Sequence, residues 1–142
     1  MKIIGRKEKI SLPEWGIKNI SAKVDTGAYT SSIHCEFWEE RLENEVPVLY
    51  FKVLDPSHKK YNGKLFHTKS FTQKKVKNSF GHEELRYKVS TKVLMFEEEF
   101  EAEFTLSDRS KMRSPILLGR KMLKGRFRVD VQEINLSIKS KK

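Results

Sequence analysis

The strongest constraint on this chain is the run 99–106, where Phe100, Ala102, Phe104 and Leu106 alternate with Glu99, Glu101, Glu103 and Thr105. A period of two puts every apolar residue on one face of an extended strand and every polar one on the other, a sorting that a helix cannot achieve. Runs of similar character lie at 2–10, 17–24, 46–54, 64–71, 74–79, 84–94, 128–131 and 134–138. Between them stand Leu12-Pro13-Glu14, Asp55-Pro56-Ser57, Asn62-Gly63 and Asn78-Ser79-Phe80-Gly81, all with turn chemistry. Short strands at close spacing predict a mainly β fold, a closed or partly open barrel. Two segments read as short helices: 37–45, which holds helix formers, and 120–124, which follows a glycine.

The 142 residues suffice for one core and not for two, so residues 1–142 are expected to form a single domain, with 139–142 a frayed tail. No apolar run approaches the roughly 18 residues of a membrane span, and the start, MKIIGRKEKI, lacks the apolar stretch of a secretory signal. The expectation is a soluble, cytoplasmic protein with no membrane partner. The one cysteine, Cys35, excludes an internal disulfide framework and a multi-cysteine metal site. Twenty-nine Lys and Arg against nineteen Asp and Glu leave a net charge of +10, which favours anionic partners, although a lysine-rich soluble surface explains the same excess.

Chemistry enters at Asp25-Thr26-Gly27-Ala28, directly after the alternating Ile20, Ala22 and Val24. A carboxylate at the end of an apolar strand is half-buried where the chain must turn. The glycine two places on lets amide hydrogens point back at it, and the Thr26 hydroxyl can bond to main chain. About ninety residues later come Pro115, Ile116, Leu117, Leu118, Gly119 and Arg120, an apolar strand ending in glycine before a short helical pattern.

Together these two segments resemble the retropepsins, the dimeric aspartic proteases. The resemblance implies an acid-protease barrel in which Asp25 is catalytic, Thr26, Gly27 and Ala28 form its loop, and Ile116, Leu117, Leu118, Gly119 and Arg120 support it. It also implies a hairpin flap around 74–94 with Ser79, Phe80 and Gly81 at or beside its tip, and substrate contacts from Tyr29. Where retroviral enzymes carry an acid that pairs with the arginine of the Gly-Arg segment, this chain has Tyr29, so Arg120 must find another partner. A narrower resemblance, carried by 22–28, 76–81 and 108–120, is to a bacterial retropepsin-like family labelled "ATP-dependent zinc protease". Members of that family are associated with ATP-grasp ligases that attach glutamate to proteins, which implies a glutamate-rich substrate and a ligase partner.

The residues themselves carry neither half of that label. His82-Glu83-Glu84-Leu85-Arg86 has Arg86 where a zinc-protease helix needs its second histidine, and His34, His58 and His67 have no ligand spacing, so no metal or other cofactor is expected. No GxxxxGK[ST] loop occurs, so any ATP dependence would reside in a partner. A Cys35–His34 dyad is excluded if that segment is a strand, since adjacent side chains point to opposite faces. Because this chemistry needs two carboxylates and the chain has one Asp-Thr/Ser-Gly motif, the second Asp25 is expected from a homodimer partner. The rival reading is a non-catalytic basic β barrel that holds RNA or acidic protein segments. Lys69-Ser70-Phe71 and Arg86-Tyr87-Lys88 permit it, but no RNA-binding pattern supports it, and nucleic acid is not the expected partner.

Overall fold

The computed structural model describes residues 1–77 and 80–139. Its strands in chain order are β1 (Lys2–Ile4), β2 (Lys7–Leu12), β3 (Ile17–Val24), β4 (Ser31–Glu43), β5 (Val46–Val53), β6 (Phe66–Thr68), β7 (Phe71–Lys77), β8 (Glu83–Met95), β9 (Glu98–Ser107), β10 (Ile116–Leu118) and β11 (Phe127–Val129). Two one-turn helices, α1 (Arg120–Leu123) and α2 (Leu136–Lys139), and a 3-10 turn at Pro13–Trp15 complete the described chain.

The short strand β10 lies parallel to β3 and antiparallel to β4. It therefore closes the path β10-β3-β2-β8-β9-β4 into a six-stranded barrel, the retropepsin-like architecture. β4 serves two sheets: Ser31–His34 run parallel to β9, and beyond an irregularity at Cys35 the strand continues as a hairpin with β5. The turns of two hairpins follow from backbone twist. Asn44 and Glu45, and likewise Phe96 and Glu97, all have positive φ, the two-residue geometry that matches strongly twisted strands.

The core is built as the alternation requires. Ala102, Phe104 and Leu106 of β9 are buried against Ile10, Ile20, Ile33, Ile116 and Leu118, and each large side chain so placed contributes roughly 1.5–3 kcal/mol relative to exposure. Trp15, buried, brings its ring to 5.6 Å from Phe51 and 6.2 Å from Phe104, which ties the β4–β5 hairpin to the barrel. The opposite, acidic face of β9 is met by cross-strand lysines: Lys92 stands 3.5 Å from Glu99 and Lys88 3.3 Å from Glu103, while Lys121 of α1 also pairs with Glu103.

Two sequence expectations are corrected. Residues 37–43, read as helix formers, are strand, because each finds a partner in β5 and tertiary pairing outweighs local propensity. Residues 134–138, read as a strand, lead instead into α2, which packs on β2 through a buried carboxylate. Glu8 accepts hydrogen bonds from the amides of Gly5 at 2.7 Å, Leu136 at 3.0 Å and Ser137 at 2.9 Å. Lys139 belongs to α2 rather than to a frayed tail, and the rest of that tail lies outside the described residues.

Candidate active site

Asp25 leaves β3 at its C-terminal end, and its setting comes from the far end of the sequence. Its amide donates to the Leu118 carbonyl at 2.9 Å, so β10 fixes the backbone at the acid. The Gly27 amide donates to Asp25 Oδ1 at 2.9 Å and the Ala28 amide to the Asp25 carbonyl at 3.2 Å, which folds residues 25–28 into a tight turn around the half-buried carboxylate. The Ala28 carbonyl accepts from the Arg120 amide at 2.8 Å, and the Gly119 amide donates to Ser31 Oγ at 3.0 Å. Gly119 is required by closeness: a Cβ there would sit 2.7 Å from the Tyr29 carbonyl oxygen. The expected neighbours 24–28 and 116–120 thus lie side by side.

Arg120 finds its partner inside the same turn. Its Nη1 donates to the Thr26 carbonyl at 2.9 Å, and its guanidinium stands 5.7 Å from the centre of the exposed Tyr29 ring. The tyrosine thus meets this arginine through a cation–π contact where retroviral enzymes use an acid. The Thr26 side chain differs from expectation: it is exposed, and among the described residues its hydroxyl makes no hydrogen bond.

Strands β7 and β8 form the expected hairpin, paired from Phe71 opposite Val89 to Lys77 opposite Glu83. Phe80, 84% exposed, and Gly81, with φ of 81°, lie at its tip, while Ser79 lies outside the described residues. A positive φ suits glycine alone at little cost. The residues of the His82–Arg86 stretch from Glu83 onward are β8, so that segment is strand rather than a metal-binding helix.

Sequence reasoning missed a polar network on β4 next to the start of β10, where the His34 amide donates to the Pro115 carbonyl at 2.7 Å. His34, buried in β4, places Nε2 2.6 Å from Asp55 Oδ2, and its Nδ1 accepts the Arg109 amide at 2.8 Å. That acceptor role puts the ring proton on Nε2, which donates to Asp55. The hydroxyl and amide of Ser57, with help from His34, hold Asp55 below the usual carboxylate range. Leu54, buried with φ of 67°, turns the chain to deliver Asp55 to the histidine. Cys35 is a core residue whose thiol burial pushes well above its ordinary value, so it stays protonated.

A lowered folded pKa means that Asp55 stabilises the fold above its unfolded value of about 3.9 and that this contribution is lost as pH falls through the folded value. Asp55→Asn is therefore expected to lower the thermal midpoint at neutral pH and to make its decline below about pH 4 shallower than in the unmodified chain. Parallel acid limbs for the two proteins, measured by thermal unfolding across pH, would show that Asp55 contributes nothing.

The six-stranded closure and the Asp-Thr-Gly turn braced by an apolar-Gly-Arg strand together define a retropepsin-like protein. The sequence profile described as "RimB-like: Retropepsin-like aspartic endopeptidase RimB" matches residues 3–140, and the chain belongs to that family. It is 33% identical over 128 residues to a "Probable alpha-L-glutamate ligase" of Parasynechococcus marenigrum, covering 90% of this chain and 28% of that protein. A protein of the same name from Desulfotalea psychrophila is 33% identical over 129 residues, again 28% of its length, so the chain spans less than a third of these curated relatives. A crystal structure of a Legionella pneumophila protein of unknown function superposes with a TM-score of 0.69 over 96% of this chain and 98% of that one, at 23% identity, a likeness of fold.

Proposed function

We propose that this chain is a peptidase that hydrolyses peptide bonds with a water activated by two Asp25 carboxylates, one from each copy of a homodimer. The observation that carries the reading is the Asp25 turn, a half-buried carboxylate whose backbone is anchored to β10 and whose Oδ1 is held by the Gly27 amide. Two such groups facing each other cannot both ionise comfortably, so the pair shares one proton. The ionised member takes a proton from water as the oxygen attacks the carbonyl carbon, and the protonated member donates to the developing oxyanion. Collapse of the tetrahedral adduct then expels the amine, which leaves with a proton. The hairpin β7–β8 serves as the lid over the bound peptide.

The substrate in this reading is acidic, a glutamate-rich segment made by a ligase that partners this chain. Lys74, Lys75 and Lys77 are exposed on β7, and the carboxylates of β9 that would repel an anion are offset by Lys88, Lys92 and Lys121. The relatives named as glutamate ligases, longer chains that contain a region similar to this one, support the pairing with glutamate chemistry.

Cleavage rates on glutamate-rich, neutral and lysine-rich peptides test the proposal. The glutamate-rich peptide is expected to react fastest and to slow as salt rises, because exposed charges are screened beyond about 8 Å at physiological ionic strength. Equal rates, or preference for the basic peptide, refute the acidic substrate.

A further inference from the structure

The segment between β9 and β10 carries three cations, and two of them, Lys111 and Arg113, are exposed. Arg109 differs from them. It is half-buried, and the molecule fixes it at three points: its amide on His34 Nδ1 at 2.8 Å, its Nε on the Ser114 carbonyl at 3.2 Å, and its Nη1 on Ser32 Oγ at 3.2 Å. Ser32 is paired with Leu117 of β10, whose neighbour Leu118 holds the Asp25 amide. The guanidinium is thus fastened to the strand next to the one that supports the catalytic turn.

All three acceptors are uncharged, and among the described residues no carboxylate lies within ion-pair distance of Arg109. Its Nη2 makes no hydrogen bond among those residues. Burial lowers its hold on its proton, and the one charge that acts on it in the opposite sense is Asp25. A cation removed from water normally comes with an anion, since burying a guanidinium beside neutral groups alone is costly. A bracket for the loop would need only the amide and the Ser114 contact. The fixed orientation, the uncommitted Nη2 edge and the tie through Ser32 to the strand paired with β10 are what a carboxylate receptor on this side of the barrel requires.

We propose that Arg109 is a specificity-determining residue of the site: it receives a side-chain carboxylate of the bound peptide beside the scissile bond and selects acidic residues there. This rests on the peptidase reading. It separates two sources of acidic preference: the lysines of β7 act over distance and are weakened by salt, whereas Arg109 discriminates by contact. Asp55 and His34 act through the Arg109 amide as positioning residues for that contact.

The test compares two peptides that differ only in having glutamate or isosteric glutamine around the scissile bond. With Arg109→Gln, kcat/KM on the glutamate peptide is expected to fall about tenfold to a hundredfold, mainly through KM, and on the glutamine peptide much less, so that the preference collapses towards one. Arg109→Lys, which keeps the charge and loses the fork, is expected to recover part of the preference. An equal fall on both peptides, or a fall confined to kcat, would mean that Arg109 acts on Asp25 or on the loop and overturns the assignment. Failure of the peptidase reading looks different: the unmodified chain leaves both peptides intact. The assignment is then decided by calorimetric binding of the same peptides to Asp25→Asn with and without Arg109→Gln. Tighter binding of the glutamate peptide that disappears in the double variant supports it, and equal binding of the two peptides to Asp25→Asn sinks it.

Discussion

Replacing Asp25 by asparagine is expected to lower peptide hydrolysis by about a thousandfold or more while leaving the thermal midpoint almost unchanged. The amide retains an oxygen that can accept the Gly27 hydrogen bond, so the turn survives, but it can neither take a proton from water nor return one to the oxyanion. Mixing sharpens the result. If each active site draws one carboxylate from each copy, excess Asp25→Asn chain captures unmodified chain in half-dead dimers, and activity falls below proportion to the unmodified chain present. Activity that stays proportional to the unmodified chain at all mixing ratios would mean that one copy suffices. Retained hydrolysis in the pure variant would point to another catalyst altogether.

Glu8→Ala is expected to be the most damaging substitution to stability, costing about 3–5 kcal/mol in chemical denaturation. Glu8 is fully buried, and its carboxylate is the acceptor for three amides from two parts of the chain. Truncation leaves those donors without partners, and α2 loses two of its hydrogen bonds to β2, keeping the one from Ser137 Oγ to the Lys9 carbonyl. Glu8→Gln keeps one good acceptor and is expected to cost roughly half as much. A change below about 1 kcal/mol for the alanine variant would show that the chain end contributes little to the fold.

The barrel was legible where side chains report burial directly. The alternation along β9 appears in the structure as buried Ala102, Phe104 and Leu106 and outward carboxylates, and the neighbourhood of Asp25 and Leu118 followed from two short motifs. What misled was local composition. The outer half of β4 contains Glu, Arg and Leu, good helix formers, and only its pairing with β5 makes it a strand. The alternation at 134–138 is real, but the segment is governed by Glu8, 128 residues away from Leu136. His34 gave no signal at all, because Asp55 and Arg109 reach it from 21 and 75 positions along the chain and no spacing rule spans such gaps. The same holds for Arg109, one of many cations until burial singles it out.

The way β10 is threaded between β3 and β4 has a consequence for how the molecule comes into being. The Gly119 amide meets Ser31 across 88 residues and Arg120 meets Thr26 across 94. Contacts of such separation close large loops and form late, which slows folding relative to a chain of neighbouring hairpins. A nascent chain that has exposed Asp25 on the ribosome still lacks Leu118, Gly119 and Arg120, so until those residues are made the acid exists without the backbone that orients it. In the peptidase reading proposed above, hydrolytic competence would therefore arrive only once β10 has joined β3 and β4.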